Sequence, residues 1–307
     1  MVRYKHNINL VDSGYIRDEL AAIYILQNQD EVAIIETGTT YSLPNVISAL
    51  EQLDIEKSQV KYVIPTHIHL DHAGGAGAFL NHFDQSKLIV HPRGARHMIN
   101  PDRLIQGVKQ VYGEQKFNQY YGEILSIEEE RVLTADDLQT YDLAGRELLF
   151  IDTPGHARHH FCIFDEVSNS IFSGDTFGLA YPQLDKGGIY HLLPTTTPVQ
   201  FDPQALLDSI ERLLAFKPDQ MYLTHYGQLS QPAHYADSLK FWINKFVTLT
   251  KQIKPENAAS DQNLATELHQ IIAYKLEINS TETETVLGMD IQLNAQGLGH
   301  WWRTQQH

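Results

Sequence analysis

One stretch constrains this chain more than any other: Pro-Thr-His-Ile-His-Leu-Asp-His-Ala-Gly-Gly at residues 65–75. Residues 61–64 before it are mostly apolar and β-branched, the pattern of a short buried strand. Pro65 ends that strand. Side chains two apart on an extended backbone point the same way, so His67 and His69 can grip one metal ion together. Asp71 and His72 lie just beyond, where the chain turns towards a helix, and could serve a second ion. Gly74 and Gly75 allow a tight turn and a close backbone approach. A lone histidine would read as one of the 16 in the chain. Four ligand-type side chains in six residues at a strand end read as a metal site, because Asp and His are costly to bury unless paired or metal-bound.

Composition sets the class. At 307 residues the chain can bury a sizeable core, as one large domain or two. Hydrophobic residues make up 42% and charged residues 20%, an ordinary globular balance. The net charge of -15 argues against a nucleic-acid or anionic-membrane partner. Cys162 is the only cysteine, so no disulfide framework forms within the chain and a reducing compartment is permitted. No apolar h-region follows the first residues, and no run approaches the roughly 18 apolar residues of a membrane span. The expectation is a cytoplasmic protein with no membrane partner; homo-oligomerisation is left open.

Along the chain, the apolar runs at 21–27 and 32–36 flank a polar interval and predict a hairpin. Glu36, Thr37 and Gly38 follow. Residues 44–53 predict an amphipathic helix with Val46, Ile47, Leu50 and Leu53 on one face. Residues 76–82 predict a helix and 88–91 a strand. From 92 to 130 aromatic and polar residues mix, with Tyr112, Phe117, Tyr120 and Tyr121 among Gln, Asn and Glu. Helices are expected at 101–111 and 114–121, forming an inserted helical subdomain whose aromatics serve packing. Residues 147–152 predict a strand running into Thr153-Pro154-Gly155-His156. His159 and His160 follow closely and read as histidines that orient ligands. A hairpin at 161–164 and 170–172 ends in Ser173-Gly174-Asp175-Thr176. The loop at 176–198 carries Tyr181, Tyr190 and His191, candidate substrate contacts because the loop follows Asp175 directly. Residues 203–216 predict a helix with Asp202 as N-cap, and 221–224 a strand that ends at His225-Tyr226-Gly227. Helices are expected at 231–254 and 264–276, with Trp301 and Trp302 anchoring the last segment.

The spacing His-x-His-x-Asp-His, the Glu36-Thr37-Gly38 tripeptide, the strand-then-TPGH of residues 153–156, Asp175 and His225 together resemble the metallo-β-lactamase superfamily over residues 21–227. The resemblance implies an α/β fold, the four-layer αββα sandwich. It implies a domain at 1–255, with the helical insertion at about 92–130, and a C-terminal helical extension at 256–307 packed on it. It implies that His67, His69 and His156 hold one metal, that Asp71, His72 and His225 hold the other, and that Asp175 bridges them. Two divalent ions follow, Zn first, with Fe or Mn also suited to the imidazole-rich, thiolate-free set. The implied activity is hydrolysis of a small ester, lactone, thioester or related substrate by a metal-bridging hydroxide, with Asp71 orienting that hydroxide and no Ser or Cys nucleophile.

Departures narrow the reading. Asp175 is present where true β-lactamases of the superfamily lack the bridging carboxylate. Gly178 stands where acyl-homoserine-lactone lactonases place Tyr. Gly174-Asp175-Thr176-Phe177 begins as in glyoxalase II, without the Cys-Gly-Arg continuation. His69 stands where flavodiiron oxygen reductases have Glu. Two alternatives to the hydrolase are an iron-dependent oxidoreductase of the sulfur-dioxygenase kind, using the same ligands, and a non-catalytic metal-binding member.

Overall fold

The computed structural model describes residues 1–185, 187 and 190–306; the Tyr112 side chain lies outside the described residues. The chain divides into two units. The first comprises residues 1–152, 159–174 and 219–228, and the second 153–158, 175–218 and 229–307.

The first unit begins with β1 (Val2–Arg3) and β2 (Ile8–Asp12). β3 (Ala22–Asn28) and β4 (Glu31–Ile35) then form the expected antiparallel hairpin. α1 (Leu43–Gln52) leads to β5 (Val60–Ile64), which pairs in parallel with β4. Beyond β5, residues 70–73 close a single helical turn, α2 (Leu70–Ala73), followed by α3 (Ala76–His82) and β6 (Lys87–Val90). The helical insertion holds α4 (Pro92–Ile99), α5 (Asp102–Tyr112) and α6 (Glu114–Tyr121), and β7 (Val132–Thr134) follows it. α4 escaped the sequence reading because its cap is unusual. His91 Nδ1 accepts from the Arg93 N–H at 3.1 Å, and Pro92 takes the first helical position, where a missing N–H costs nothing. The insertion aromatics pack as expected: Phe117 and Tyr121 are buried, and the Tyr121 hydroxyl meets that of Tyr15 at 2.9 Å.

Strands β1 to β7 lie side by side in chain order in one sheet. The second sheet contains β8 (Thr140–Leu143), β9 (Arg146–Asp152), β10 (Phe161–Asp165) and β11 (Ser170–Gly174), joined antiparallel. After α7 (Pro203–Ala215) the chain returns as β12 (Gln220–Leu223), parallel to β11, and β13 (Gly227–Ser230) ends the sheet.

The run Ala22–Leu26 shows why the first sheet is apolar on both faces. Ile23 and Ile25 point to one side, where they meet Val46 and Leu50 of α1 and Phe79 of α3. Ala22, Tyr24 and Leu26 point to the other, where they join Phe150, Phe161 and Phe172 of the second sheet. Period-two alternation on a sheet covered on both faces produces a continuous apolar string. Each such large side chain contributes about 1.5–3 kcal/mol when fully buried.

In the second unit, Asp202 caps α7 as expected, its carboxylate accepting from the Gln204 and Ala205 N–H groups at 3.1 Å each. α8 (Pro232–Ile253), α9 (Ala258–Leu276) and α10 (Ser280–Thr304) form the helical C-terminal extension. α10 carries Trp301 and Trp302. Its polar, threonine-rich start and three internal glycines weaken the helical signal in sequence. Among the described residues no helix is long and apolar enough to cross a membrane.

A buried ion pair anchors the start of β9. Arg146 donates from Nε to Asp165 Oδ1 at 2.8 Å and from Nη2 to Oδ2, and from Nη1 to the His6 carbonyl at 2.7 Å. Both side chains are almost wholly buried. Arg146→Ala is expected to cost about 3–5 kcal/mol, because it strands a buried carboxylate. Urea unfolding at pH 7 measures this; a loss below 1 kcal/mol would refute the role given to the pair.

Candidate metal centre

The first unit gathers its ligand-type residues around one buried carboxylate. Glu36 follows β4 and is 1% exposed. Its Oε1 accepts from the Thr66 hydroxyl at 2.6 Å, the Thr224 hydroxyl at 2.9 Å and His72 Nδ1 at 3.0 Å. Its Oε2 accepts from the Thr66 N–H at 3.1 Å. Glu36 adopts this position with φ +68°, a left-handed backbone that costs a non-glycine residue about 1–2 kcal/mol. The hydrogen bonds to a charged acceptor more than offset that cost.

Thr66 passes the constraint to the histidine run. Its hydroxyl donates to Glu36, so it accepts from His67 Nδ1 at 3.2 Å. That leaves His67 Nε2 facing His69 Nδ1 at 2.8 Å. Between them Ile68 points the opposite way and packs against Gly94 of α4, where a Cβ would lie 2.7 Å from Ile68 Cγ2. The strand-like alternation therefore drives one side chain into the core and turns two imidazoles to the same side.

The turn of α2 carries Asp71 and His72, and the end of β12 delivers His225. A carboxylate oxygen of Asp71 and one nitrogen from each histidine all lie within 4.8 Å of one another. Asp71 Oδ2 stands 3.7 Å from His72 Nε2 and 3.5 Å from His225 Nε2. The far side of each ring is held by an acceptor. His72 Nδ1 donates to Glu36, and His225 Nδ1 donates to the Leu20 carbonyl at 2.7 Å. A nitrogen that donates at Nδ1 leaves the lone pair at Nε2, the tautomer a metal needs.

The second unit builds a matching pair. His156 Nδ1 donates to the Thr195 carbonyl at 3.2 Å and to its Oγ1 at 3.0 Å. The Thr195 hydroxyl in turn donates to the Asp175 carbonyl at 3.2 Å. His156 Nε2 stands 3.4 Å from Asp175 Oδ2. Both residues are buried.

These separations fit a divalent ion. Two donors about 2.0–2.1 Å from one tetrahedral ion stand about 3.3 Å apart. The N···O separations of 3.4, 3.5 and 3.7 Å lie near that value. Nitrogen and carboxylate oxygen with no thiolate suit Zn, Fe or Mn.

A sequence model of the metallo-beta-lactamase superfamily matches residues 16–225. The chain belongs to this superfamily. A metallo-beta-lactamase fold-containing protein of Sulfurisphaera tokodaii is 27% identical over 230 residues, covering 74% of this chain and 80% of the relative. A hydroxyacylglutathione hydrolase of Aeromonas salmonicida is 26% identical over 209 residues, covering 68% of this chain and 62% of the relative. The crystal structure of a metallo-beta-lactamase family protein of Thermus thermophilus superposes with a TM-score of 0.68 at 19% identity, over 97% of this chain and 94% of that one. The fold is thus the superfamily's α/β sandwich, with the helical C-terminal extension beyond the matched region.

In this superfamily member, His160 stacks on His67 at 4.9 Å between ring centroids, and His159 lies edge-on to His69 at 5.6 Å. Tyr181 is buried in the second unit and donates its hydroxyl to Asp290 at 3.0 Å. Tyr190 and His191 are half-buried, and Tyr190 meets Tyr235 edge-on at 5.8 Å. The sequence reading missed Thr66, Thr195, Thr224 and the Leu20 carbonyl. Backbone acceptors carry no side-chain signature, and three threonines are unremarkable in composition. Glu36 entered the sequence reading only within the Glu36-Thr37-Gly38 tripeptide, without a role; a carboxylate that directly follows an apolar run must find partners.

Glu36→Gln is expected to destabilise the metal-free protein by about 1–3 kcal/mol. The amide cannot accept from all four donors and turns its own N–H groups towards one of them. Chemical denaturation in a chelator measures this; an unchanged midpoint would refute the hub.

Proposed function

We propose that this chain is a binuclear metal-dependent hydrolase of a small ester, lactone or thioester. His67, His69 and His156 hold one ion, Asp71, His72 and His225 the other, and Asp175 serves both. The observation that carries this reading is the convergence of Asp71, His72 and His225, with both imidazoles fixed in the ligating tautomer by Glu36 and the Leu20 carbonyl. The name of the Aeromonas relative supports hydrolysis as the reaction class. When bound, two divalent ions supply Lewis acidity and a water that ionises near neutrality.

The chain's own residues do the rest. Asp71 is the more exposed member of its cluster, with 25% of its side chain open, so its carboxylate can take up and orient a proton from the attacking water. His72 and His225 cannot rotate without breaking their Nδ1 hydrogen bonds, so they keep Asp71 company at fixed distance. Tyr190 and His191 offer polar contacts to the substrate. Burial, then Asp185 and Tyr235, push the Tyr190 hydroxyl above its ordinary pKa, so it acts as a neutral donor across the physiological range.

Protein expressed with metal is expected to carry up to two transition-metal ions per chain, and chelation should lower its thermal midpoint. Elemental analysis checks this; no bound metal in replete medium would end the proposal. Asp71→Asn is expected to lose about 10²–10⁴-fold in hydrolysis while keeping part of its metal. Full turnover at normal loading would remove Asp71 from the mechanism. Activity of the parent should rise with pH through one ionisation at about 7. Assays on ester, lactone and thioester substrates over a pH series test this. Inactivity on all of them, with oxygen consumed by the iron-loaded protein in the presence of a persulfide, would replace the hydrolase with an oxidoreductase.

A further inference from the structure

The C-terminal extension lies outside the region matched to the superfamily, residues 16–225, and the hydrolase reading gives it no task. Its last helix, α10, is nonetheless bonded to the strip that holds His156. Asn294 of α10 is 5% exposed. Its Oδ1 accepts from the Thr196 N–H at 2.6 Å and from the Thr196 hydroxyl at 2.9 Å. Its Nδ2 donates to the Pro194 carbonyl at 3.1 Å. One amide thus spans Thr195 on both sides, satisfying the backbone groups of the residues before and after it.

One turn further along α10, Gly297 removes any room for movement. A Cβ there would fall 1.5 Å from the Thr196 carbonyl oxygen, so helix and strip touch backbone to backbone, which only glycine permits. Thr195, held between these contacts, presents its carbonyl and Oγ1 to His156 Nδ1. Thr197, on the far side, places its hydroxyl 3.3 Å from His156 Nε2. Every link lies within the second unit.

We propose that Asn294 is a positioning residue for the metal centre, fixing the Thr195 strip and through it the tautomer and orientation of His156. The inference rests on the reading of His156 as a ligand. The amide is the side chain that suits this place: the strip offers one backbone N–H and one carbonyl on the same side, and Asn carries one acceptor and one donor group to meet them. The extension is then part of the construction of the site, a buttress supplied from some 140 residues along the chain, on the scale set by the contact of Asn294 with the strip that holds His156.

The test compares Asn294→Ala and Asn294→Asp with the parent. Asp keeps the acceptor for Thr196 and loses the donor to Pro194. Arg303→Ala serves as the control: it loosens α10 at its end by breaking the pair with Asp261, 2.8 Å away, without touching the strip. In the metal-free proteins, ¹⁵N-histidine spectra report the His156 tautomer. Zinc affinity is read by competition with a chromophoric chelator, and helix content by circular dichroism.

The expected result is a single Nδ1–H tautomer of His156 in the parent and in Arg303→Ala, and a mixture in Asn294→Ala. One of two zinc ions should bind about 10–100-fold more weakly to Asn294→Ala, with Asn294→Asp between variant and parent. If Asn294→Ala fails to fold, Asn294→Asp decides. Folded Asn294 variants with the parent tautomer and both parent affinities would overturn the inference. So would a control that shifts the tautomer as far as Asn294→Ala, since that would mark a general loosening of α10. A parent that binds no zinc would overturn the hydrolase reading, while the tautomer measurement, which needs no metal, would still decide the role of Asn294.

Discussion

The organisation of the first unit depends on Glu36 and the four donors that meet its carboxylate. Those donors come from three separate chain segments. Thr66 follows β5, His72 sits on the turn of α2, and Thr224 follows β12. A charged group with 1% exposure is tolerable only when its oxygens are saturated. The requirement works in reverse as well: saturating Glu36 obliges two strand ends, one from each sheet, and the turn of α2 to meet in the same place. The left-handed backbone at Glu36 is the local strain that this arrangement sustains.

From that hub His72 and, through Thr66, His67 take their tautomers, while His225 and His156 take theirs from backbone carbonyls. Glu36 takes the Nδ1 proton of His72, Thr66 that of His67, the Leu20 carbonyl that of His225 and the Thr195 carbonyl that of His156. Two of these four acceptors are backbone carbonyls, which cannot donate and so define which ring nitrogen holds the proton. Imidazoles fixed in this way would have little side-chain entropy left to lose if an ion bound. Packing is close in each unit: in the first, Gly94 against Ile68, and in the second, Gly297 against Thr196, leave no space for a Cβ.

The two units hold their candidate ligands by different means. In the first, parallel strand ends and a buried carboxylate do the work. In the second, His156 and Asp175 depend on a non-repetitive strip, and irregular backbone needs partners from elsewhere to stay ordered. Asn294 supplies them from α10. A helix rich in threonine and glycine is a poor helix by propensity, yet one of those glycines, Gly297, is what lets it approach the strip.

Several features were legible in the sequence alone. The alternation His67, Ile68, His69 follows from extended covalent geometry, so the common side of the two imidazoles and the opposite, buried course of Ile68 were decided locally. The hairpin of β3 and β4, the helices α1, α3 and α6, and the Asp202 cap likewise rest on short-range periodicity and capping chemistry. The resemblance to the superfamily named the distant residues, but only the tertiary structure brought His225 beside Asp71 and His72, because the pairing of β11 with β12 depends on burial between sheets and not on neighbours in sequence. The same holds for the partners of Glu36, for the Leu20 and Thr195 carbonyls, and for the clasp of Asn294 on Thr196. Backbone acceptors and close helix contacts are properties of packed surfaces, and no residue type announces them.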